Sequence, residues 1–403
     1  MWNLTKEAWE KFLIGHSLVI PETDEEWSEI INEAKEEGEN LLERLREELE
    51  EIKDDLLRFI PDRFIPYIED GTINQPSLPK TIREDILKWQ EQLNREFEQV
   101  LEAAAQNTQN AVRFLPEDVQ EVFSESMHDA VLDRVERSQD SLHLYFDTED
   151  GFSTKAYIHL IFQGITPMNS NPPIEKGQIL LYHELIKTDS GFVFRALVNS
   201  PDVEWTLEAK NIAAKYFFRP KKYVLLRDED RLSEVSFIEY LQFLDHDQEY
   251  WLITPDLLIK IRTISSTGDE IQLVNGTVKI DDHKLSVFFD HQRFDYYTDK
   301  WNPIQFIYTN VYENPYQESF EDIPFEQLED AVFNGDRQLQ LRAWNTMYSH
   351  AHELAGQINE ILRKIEVTEE QETLLAYLIS YFYEENILDQ DNIKKFSEFV
   401  KEQ

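Results

Sequence analysis

The spacing of apolar residues changes twice along this chain, and these changes constrain its fold more than any other feature. Up to about residue 125, apolar residues recur every three or four positions, which is the period of an α-helix. From about Val131 to Tyr312 they alternate with polar residues, which is typical of strands in antiparallel sheets. The helical spacing then returns. The sequence therefore predicts an α+β protein with a helical beginning, an antiparallel β-rich middle and a C-terminal helical bundle.

Two capping patterns indicate where long N-terminal helices begin. A Thr-x-x-Glu motif occurs at Thr23 and again at Thr81, and such motifs satisfy free N–H groups in the first helical turn. Each motif precedes one apolar stripe, over Trp27–Leu56 and over Ile82–Ala104. Prolines between residues 61 and 79 separate the two stripes. These features predict two long helices that pack as an antiparallel helical hairpin.

The β-rich middle contains two pairs of similar segments. Leu142–Asp147 resembles Leu285–Asp290, and Ile158–Phe162 resembles Ile304–Tyr308. A duplicated β unit would explain the similarity. Amphipathic strand pairs also look alike without any duplication, so both explanations stay open. A different strand order in the two regions would exclude duplication.

The changes in spacing also divide the chain into regions. At about 100–200 residues per domain, a chain of 403 residues has room for two to four units. We expect four regions, namely a helical hairpin over 1–125, an antiparallel β domain over 126–220, a second β-rich domain over 221–316 and a helical region over 317–403.

The net charge is the feature most informative about partners. The chain has 80 Asp and Glu against 39 Lys and Arg, a formal net charge of −41 at pH 7. Aromatic residues make up 12% of the chain, enough to form packed cores, so the acidity belongs to the surface of folded domains. Such a surface repels nucleic acids and anionic lipids and attracts basic proteins. We therefore expect a basic protein partner, and neither a nucleic acid nor a membrane.

Cysteine usage and hydropathy indicate the compartment. The chain contains no cysteine, which excludes disulfides, thiolate metal sites and cysteine nucleophiles. No basic segment followed by an apolar one occurs at the beginning, so no signal peptide is expected. No apolar run approaches the roughly 18 residues that a membrane-spanning helix needs. These features favour a cytoplasmic location.

Two groups of residues are candidates for a metal site. His128 and Asp129 are adjacent, as in metal phosphohydrolases, and Asp290 and His291 lie near Asp295. A structural role competes with each interpretation, because Asp in turns commonly bonds the local backbone. The sequence contains no Gly-rich phosphate loop, nucleophile elbow or dinucleotide fingerprint, so it predicts no catalytic residues and no cofactor.

Several short motifs occur together in the first half of the chain: Leu4-Thr5-Lys6-Glu7, Met127-His128-Asp129-Ala130, Asp150-Gly151-Phe152-Ser153 and Leu181-Tyr182-His183-Glu184. With these motifs, residues 1–218 resemble a family of proteins from Gram-positive bacteria that carries a domain-of-unknown-function label. In that family a helical segment precedes a His-Asp pair, a Gly-Gly-Phe-type turn and a Tyr-x-Glu strand.

This resemblance implies an architecture but no mechanism. It directs attention to His128 and Asp129, and to Tyr182 and Glu184 as candidate binding residues. Asp150 stands where the family usually has its first glycine. The C-terminal half of the chain has no counterpart in the resemblance.

The function that best fits these features is a non-catalytic protein-binding module that engages a basic partner. An inhibitor of the immunity or antitoxin type is its narrower form. One alternative is a metal-dependent hydrolase with a His/Asp site, and another is a structural or scaffolding protein. The identity of the partner and the oligomeric state are not set by the sequence.

Overall fold

The computed structural model describes residues 2–165, 173–199, 203–245, 247–265, 270–281, 283–368 and 372–400. The chain divides into two compact units. The first combines Met1–Pro220 with Ser236–Tyr312, and the second combines Lys221–Val235 with Glu313–Gln403. N-terminal helices, two antiparallel sheets and C-terminal helices are present, so the predicted α+β class is confirmed. The boundaries of the four expected regions stay a prediction.

A series of helices precedes the first strand: α1 (Lys6–His16), α2 (Asp24–Glu36), α3 (Leu41–Phe59), α4 (Ile65–Glu69), α5 (Lys80–Val112) and α6 (Glu117–Val122). The Thr23 hydroxyl accepts a hydrogen bond from the Glu26 N–H at 3.1 Å, which confirms the predicted cap of α2. Because α5 begins at Lys80, Thr81 lies inside the helix, and its predicted capping role is wrong.

The prediction of one continuous helix over Trp27–Leu56 is also wrong, because two helices occupy this segment. α2 ends at Glu36, and Gly38 follows in a left-handed conformation with a φ of 82°. Glycine adopts this conformation readily, whereas a residue with a β-carbon is strained there. Glu39 then donates its N–H to the Ala34 carbonyl oxygen at 2.7 Å and closes the helix end.

Helix α1 contacts both α3 and α5 and joins them in a shared helical core. Leu49 and Leu56 of α3 are buried in one cluster with Trp89 and Leu93 of α5. Gly15 of α1 lies so close to Leu93 that an added β-carbon would overlap the leucine side chain. Full burial of each large apolar side chain stabilises such a core by about 1.5–3 kcal/mol.

The first sheet, which we call sheet 1, is antiparallel with the strand order β6-β5-β4-β1-β2-β3-β7. Its strands are β1 (Ala130–Arg137), β2 (Ser141–Asp147), β3 (Tyr157–Gln163), β4 (Ile179–Thr188), β5 (Gly191–Asn199), β6 (Val203–Ala209) and β7 (Asn211–Phe217). One face forms a core with residues of α5 and α6. Lys210 alone separates the two edge strands β6 and β7 in the chain, so the sheet must curve to bring its edges together.

The second sheet, sheet 2, has the strand order β13-β12-β11-β10-β9-β8-β14 and follows the short helix α8 (Phe237–Gln242). Backbone N–H···O bonds of 2.8 and 2.9 Å between Phe218 and Thr309 connect sheet 1 to sheet 2. The strands are β8 (Tyr250–Ile253), β9 (Leu258–Ile264), β10 (Glu270–Leu273), β11 (Gly276–Asp281), β12 (Lys284–Phe289), β13 (Gln292–Tyr297) and β14 (Ile307–Thr309).

The strand orders exclude duplication of the two β-rich regions. Leu142–Asp147 and Ile158–Phe162 belong to the paired strands β2 and β3. Leu285–Phe289 belongs to β12 and Asp290 to the turn after it, whereas Ile304–Tyr308 ends in β14 at the opposite edge of sheet 2. Pro303–Phe306 is moreover a 3₁₀ turn rather than a strand. The similar segments therefore occupy different positions, and duplication is wrong as an explanation.

The second unit is helical in the part that the structure describes. Its helices are α7 (Lys221–Asp228), α9 (Leu328–Val332), α10 (Arg337–Ser349), α11 (Ala355–Lys364), α12 (Glu372–Glu384), α13 (Gln390–Lys395) and α14 (Ser397–Val400). Helices α9 to α14 contribute to a common core that includes Met347, Ile358 and Phe382. Among the described helices of the whole chain, none combines the length and the apolar character needed to cross a membrane.

Candidate functional site

Three residues that the family resemblance emphasised lie together at one end of sheet 1. His128 and Asp129 immediately precede β1, and the Asp129 N–H donates to the Leu180 carbonyl oxygen at 2.8 Å. This bond places the segment beside β4, where the Tyr182 ring lies 5.1 Å from the His128 imidazole, centroid to centroid. Phe152, from the loop between β2 and β3, also contacts His128, with the two ring centroids 5.7 Å apart. We call His128, Asp129, Phe152 and Tyr182 the His128 patch.

The His128 patch combines a polar pair with an exposed aromatic ring. His128 Nδ1 lies 2.9 Å from a carboxylate oxygen of Asp129. Partial burial and the negative charge of Asp129 raise the pKa of Tyr182, so its phenol stays protonated and can donate a hydrogen bond. Phe152 is 74% exposed. An exposed aromatic side chain beside polar groups is typical of a recognition surface.

Glu125 holds the loop that carries Phe152. Its carboxylate accepts hydrogen bonds from the Ser153 hydroxyl at 2.7 Å and from the Thr154 N–H at 2.8 Å, and the Lys155 ammonium lies 3.0 Å away. Burial alone would raise the pKa of Glu125, but the hydrogen bonds from Thr154, Ser153 and Lys155 outweigh it and lower the pKa to about 2. The carboxylate therefore stays ionised and ties the loop to the segment before β1.

Replacement of Gly151 by alanine tests how closely this loop must approach His128. The added β-carbon would lie 2.7 Å from the His128 carbonyl oxygen, so the loop would have to move. We expect Gly151→Ala to lower the free energy of unfolding by about 1–2 kcal/mol and to shift the His128 ring signals in NMR spectra. Gly335→Ala is the control, because an added β-carbon there meets no atom within 4 Å. Equal behaviour of the two variants would contradict the close approach.

Glu184 occupies a different position from the other three residues of the resemblance. Its side chain is fully buried and accepts hydrogen bonds from the Asn3 N–H at 3.1 Å, the Leu4 N–H at 3.0 Å and the Asn107 amide at 2.7 Å. The Asn3 amide adds a further bond at 3.1 Å. These contacts anchor the N-terminal segment and α5 to β4. A ligand-binding role for Glu184 stays a prediction.

The second group of metal candidates is spread along one hairpin. Asp290 and His291 are the central residues of the two-residue turn between β12 and β13, with φ values of 48° and 62°. Asp295 lies four residues beyond His291, about 13 Å along the strand. It accepts hydrogen bonds from the Ser286 hydroxyl at 2.6 Å and from Arg293 at 2.9 Å, which lower its pKa. The structure thus does not bring the three side chains together.

Across the described ranges, no three His, Asp or Glu side chains converge in a geometry that could hold a metal ion. His128 and Asp129 therefore have no third potential metal ligand beside them among the described residues. A metal role for either group stays a prediction.

A histidine pair that the sequence pattern does not predict lies on the face of sheet 1 opposite the α5–α6 core. His143 Nδ1 and His159 Nε2 lie 3.0 Å apart, and the Ser141 hydroxyl bonds His143 Nε2 at 3.0 Å. The Tyr145 ring stacks on His159 at 4.0 Å. Burial, together with the positive charges of His143, Lys215 and Arg134, lowers the pKa of His159 to about 3. The available signal was the alternation Ser141, His143, Tyr145, which places these residues on one face of β2.

The comparisons with known proteins concern the half of the chain that contains the His128 patch. Residues 3–209 match the family described as "Protein of unknown function (DUF4085)". The search of curated proteins and the search of solved structures found no match to the chain. The matched region extends from Asn3, which bonds Glu184, to Ala209 at the end of β6. Since it covers more than half of the 403 residues, the chain belongs to this family of proteins of unknown function, DUF4085.

Proposed function

We propose that this chain is a non-catalytic, cytoplasmic protein-binding module that engages a basic partner protein through α2 and α3. The supporting observation is a row of carboxylates on each helix. Asp24–Asp55 contains 15 acidic residues, and all of them except Glu26 are exposed. An inhibitor of the immunity or antitoxin type is the narrower form of this proposal.

Eight carboxylates without an ion pair form two regular stripes. Lysine and arginine side chains within the described residues neutralise some of the acids, among them Asp24, Glu39 and Asp55. Ten of the 15 have no such partner in that part of the chain. Eight of these ten, all except Glu26 and Glu37, follow one another on each helix at spacings of four, four and three residues. We call them the acidic stripes: Glu25, Glu29, Glu33 and Glu36 on α2, and Glu43, Glu47, Glu51 and Asp54 on α3.

These stripes weaken the helices that carry them. Like charges three or four residues apart on a helix each cost about 0.2–0.5 kcal/mol. A cationic partner would remove this repulsion on binding. It would also be attracted over a distance of about 8 Å at physiological salt, which speeds association and makes it sensitive to ionic strength.

Neutralising one stripe without changing the fold tests this proposal. The stripe variant carries Glu43→Gln, Glu47→Gln, Glu51→Gln and Asp54→Asn. We expect it to bind a fluorescent octalysine peptide about tenfold more slowly than the unmodified chain in stopped-flow experiments at low salt.

The control variant makes the same change in net charge elsewhere. It carries Glu326→Gln, Asp330→Asn, Glu360→Gln and Glu366→Gln, which are exposed residues of the second unit. We expect its association rate to change less than twofold, and the difference between the variants to vanish at high salt. Equal slowing in both variants would mean that only net charge matters, and that α2 and α3 are not the binding surface.

A further inference from the structure

A groove lies between the edge strand β7 of sheet 1 and strands β8 and β9 of sheet 2. Its volume is about 690 Å³. This is within the range of small-molecule sites, which commonly enclose about 300–1,000 Å³. The side chains that define its character are Lys215, Phe217, Trp251, Leu258, Lys260 and Phe289. None of them belongs to the His128 patch or to the acidic stripes.

Two aromatic rings form the floor of the groove. Phe217 is buried, and its ring centroid lies 5.3 Å from that of Trp251. Leu258 packs against the same cluster. The half-exposed Trp251 indole therefore presents a flat apolar surface that is already fixed in place by its neighbours. A planar ring could stack on it with little loss of side-chain entropy.

Two lysines flank this floor. Lys260 lies opposite Trp251 in the β8–β9 pair, and its ammonium is 5.4 Å from the centre of the indole ring, paired with Glu249. Lys215 shares the face of β7 with Phe217, because alternate residues of a strand point to the same side. Lys215 is exposed and has no ion pair among the residues that the structure describes.

The acidic helix α6 lies beside the groove. Tyr216, between Lys215 and Phe217 in the chain, packs against the core of sheet 1. Burial and the negative charges of Glu121, Asp118 and Glu117 of α6 raise the pKa of Tyr216. Asp118 reaches the rim of the groove. Ala214 and Tyr216 also line the groove, so its lining combines two lysines, Lys215 and Lys260, with one carboxylate, Asp118.

We propose that this groove binds a small aromatic anion, with its ring on Trp251 and Phe217 and its acidic group at Lys215. The ring gains apolar contact on a preformed floor. The acidic group gains a charge-assisted hydrogen bond from an ammonium that lacks a carboxylate partner within the described chain. The site is independent of the proposed binding of a basic protein, because it uses other residues and the opposite ligand charge.

The test uses 1-anilinonaphthalene-8-sulfonate, an aromatic sulfonate whose fluorescence rises on binding. We expect one molecule to bind per chain, and Lys215→Gln to weaken its affinity about fivefold. N-phenyl-1-naphthylamine, which lacks the sulfonate, should bind the unmodified chain and the Lys215→Gln variant equally. Near-UV circular dichroism of each protein establishes that the fold is unchanged.

Lys210→Gln is the matched control. Lys210 is also an exposed lysine beside β7, but it does not line the groove. Its replacement should leave the affinity for the sulfonate unchanged. Absence of binding to the unmodified chain, or equal affinities of the Lys215→Gln and Lys210→Gln variants, would overturn the proposal.

Discussion

Replacement of Glu184 by glutamine is expected to destabilise the first unit by about 3 kcal/mol. Glutamine has nearly the same shape, so the packing around position 184 is preserved. In the unmodified chain the Glu184 carboxylate accepts hydrogen bonds from the side-chain amides of Asn3 and Asn107 at 3.1 and 2.7 Å. Glutamine would instead direct its own amide N–H groups toward these donors. Buried donors left without an acceptor are costly. Urea unfolding followed by near-UV circular dichroism measures the loss.

The control for this substitution is Glu98→Gln. Glu98 is an exposed residue of α5, so we expect its replacement to change the free energy of unfolding by less than about 0.5 kcal/mol. Limited proteolysis adds a local measurement, since the Glu184→Gln variant should be cleaved faster near Asn3. A Glu184→Gln variant as stable as Glu98→Gln would show that the carboxylate does not anchor the N-terminal segment.

Lowering the pH from 7.5 to 5.0 is expected to reduce the free energy of unfolding, because His159 is buried in the folded chain. Its pKa is about 3 in the folded chain, against about 6.5 for an unperturbed histidine. Below pH 6.5 the unfolded chain therefore binds a proton that the folded chain does not, and stability falls as the pH falls. For this residue the loss between pH 7.5 and 5.0 is about 2 kcal/mol.

A variant without His159 separates the contribution of this residue to the pH dependence from the contributions of the many carboxylates that also titrate. His159→Phe keeps an aromatic ring against Tyr145 and removes the titrating group. Its free energy of unfolding should change between the two pH values by about 2 kcal/mol less than that of the unmodified chain. His183, whose pKa burial lowers to about 4, acts in the same direction and is retained in both proteins.

His283→Phe serves as the control in this pH experiment. His283 is exposed in the turn between β11 and β12, so its variant should keep the full pH dependence of the unmodified chain. If His159→Phe also keeps the full dependence, then His159 is not held neutral in the folded protein.

Local features of the fold were accessible from the sequence because their causes are local. The Thr23 cap and the apolar stripe of α5 depend on residues within a few positions of one another, and both were predicted. The break between α2 and α3 is not predicted by the apolar spacing. Gly38 continues the spacing of the stripe between Ala34 and Leu41, so the period concealed the residue that ends the helix.

The sequence pattern does not predict which strands that are distant in the chain pair with each other. β1 pairs with both β2 and β4, and nothing in the alternation of either strand specifies that partner. The same limit applies to the candidate site. The resemblance directed attention to His128 and Tyr182, but their contact depends on the Asp129–Leu180 bond between distant segments. The partners of Glu184 were equally inaccessible, since Asn3 is 181 positions away.

The attachment of Asn3 to Glu184 has a consequence for the newly made chain. At about 5–20 residues per second, a ribosome needs roughly 10–40 s to add the 181 positions between them. During that time Leu4, which is fully buried in the finished protein, has no pocket to enter. The nascent N-terminus therefore stays open to chaperones and proteases until β4 has been synthesised.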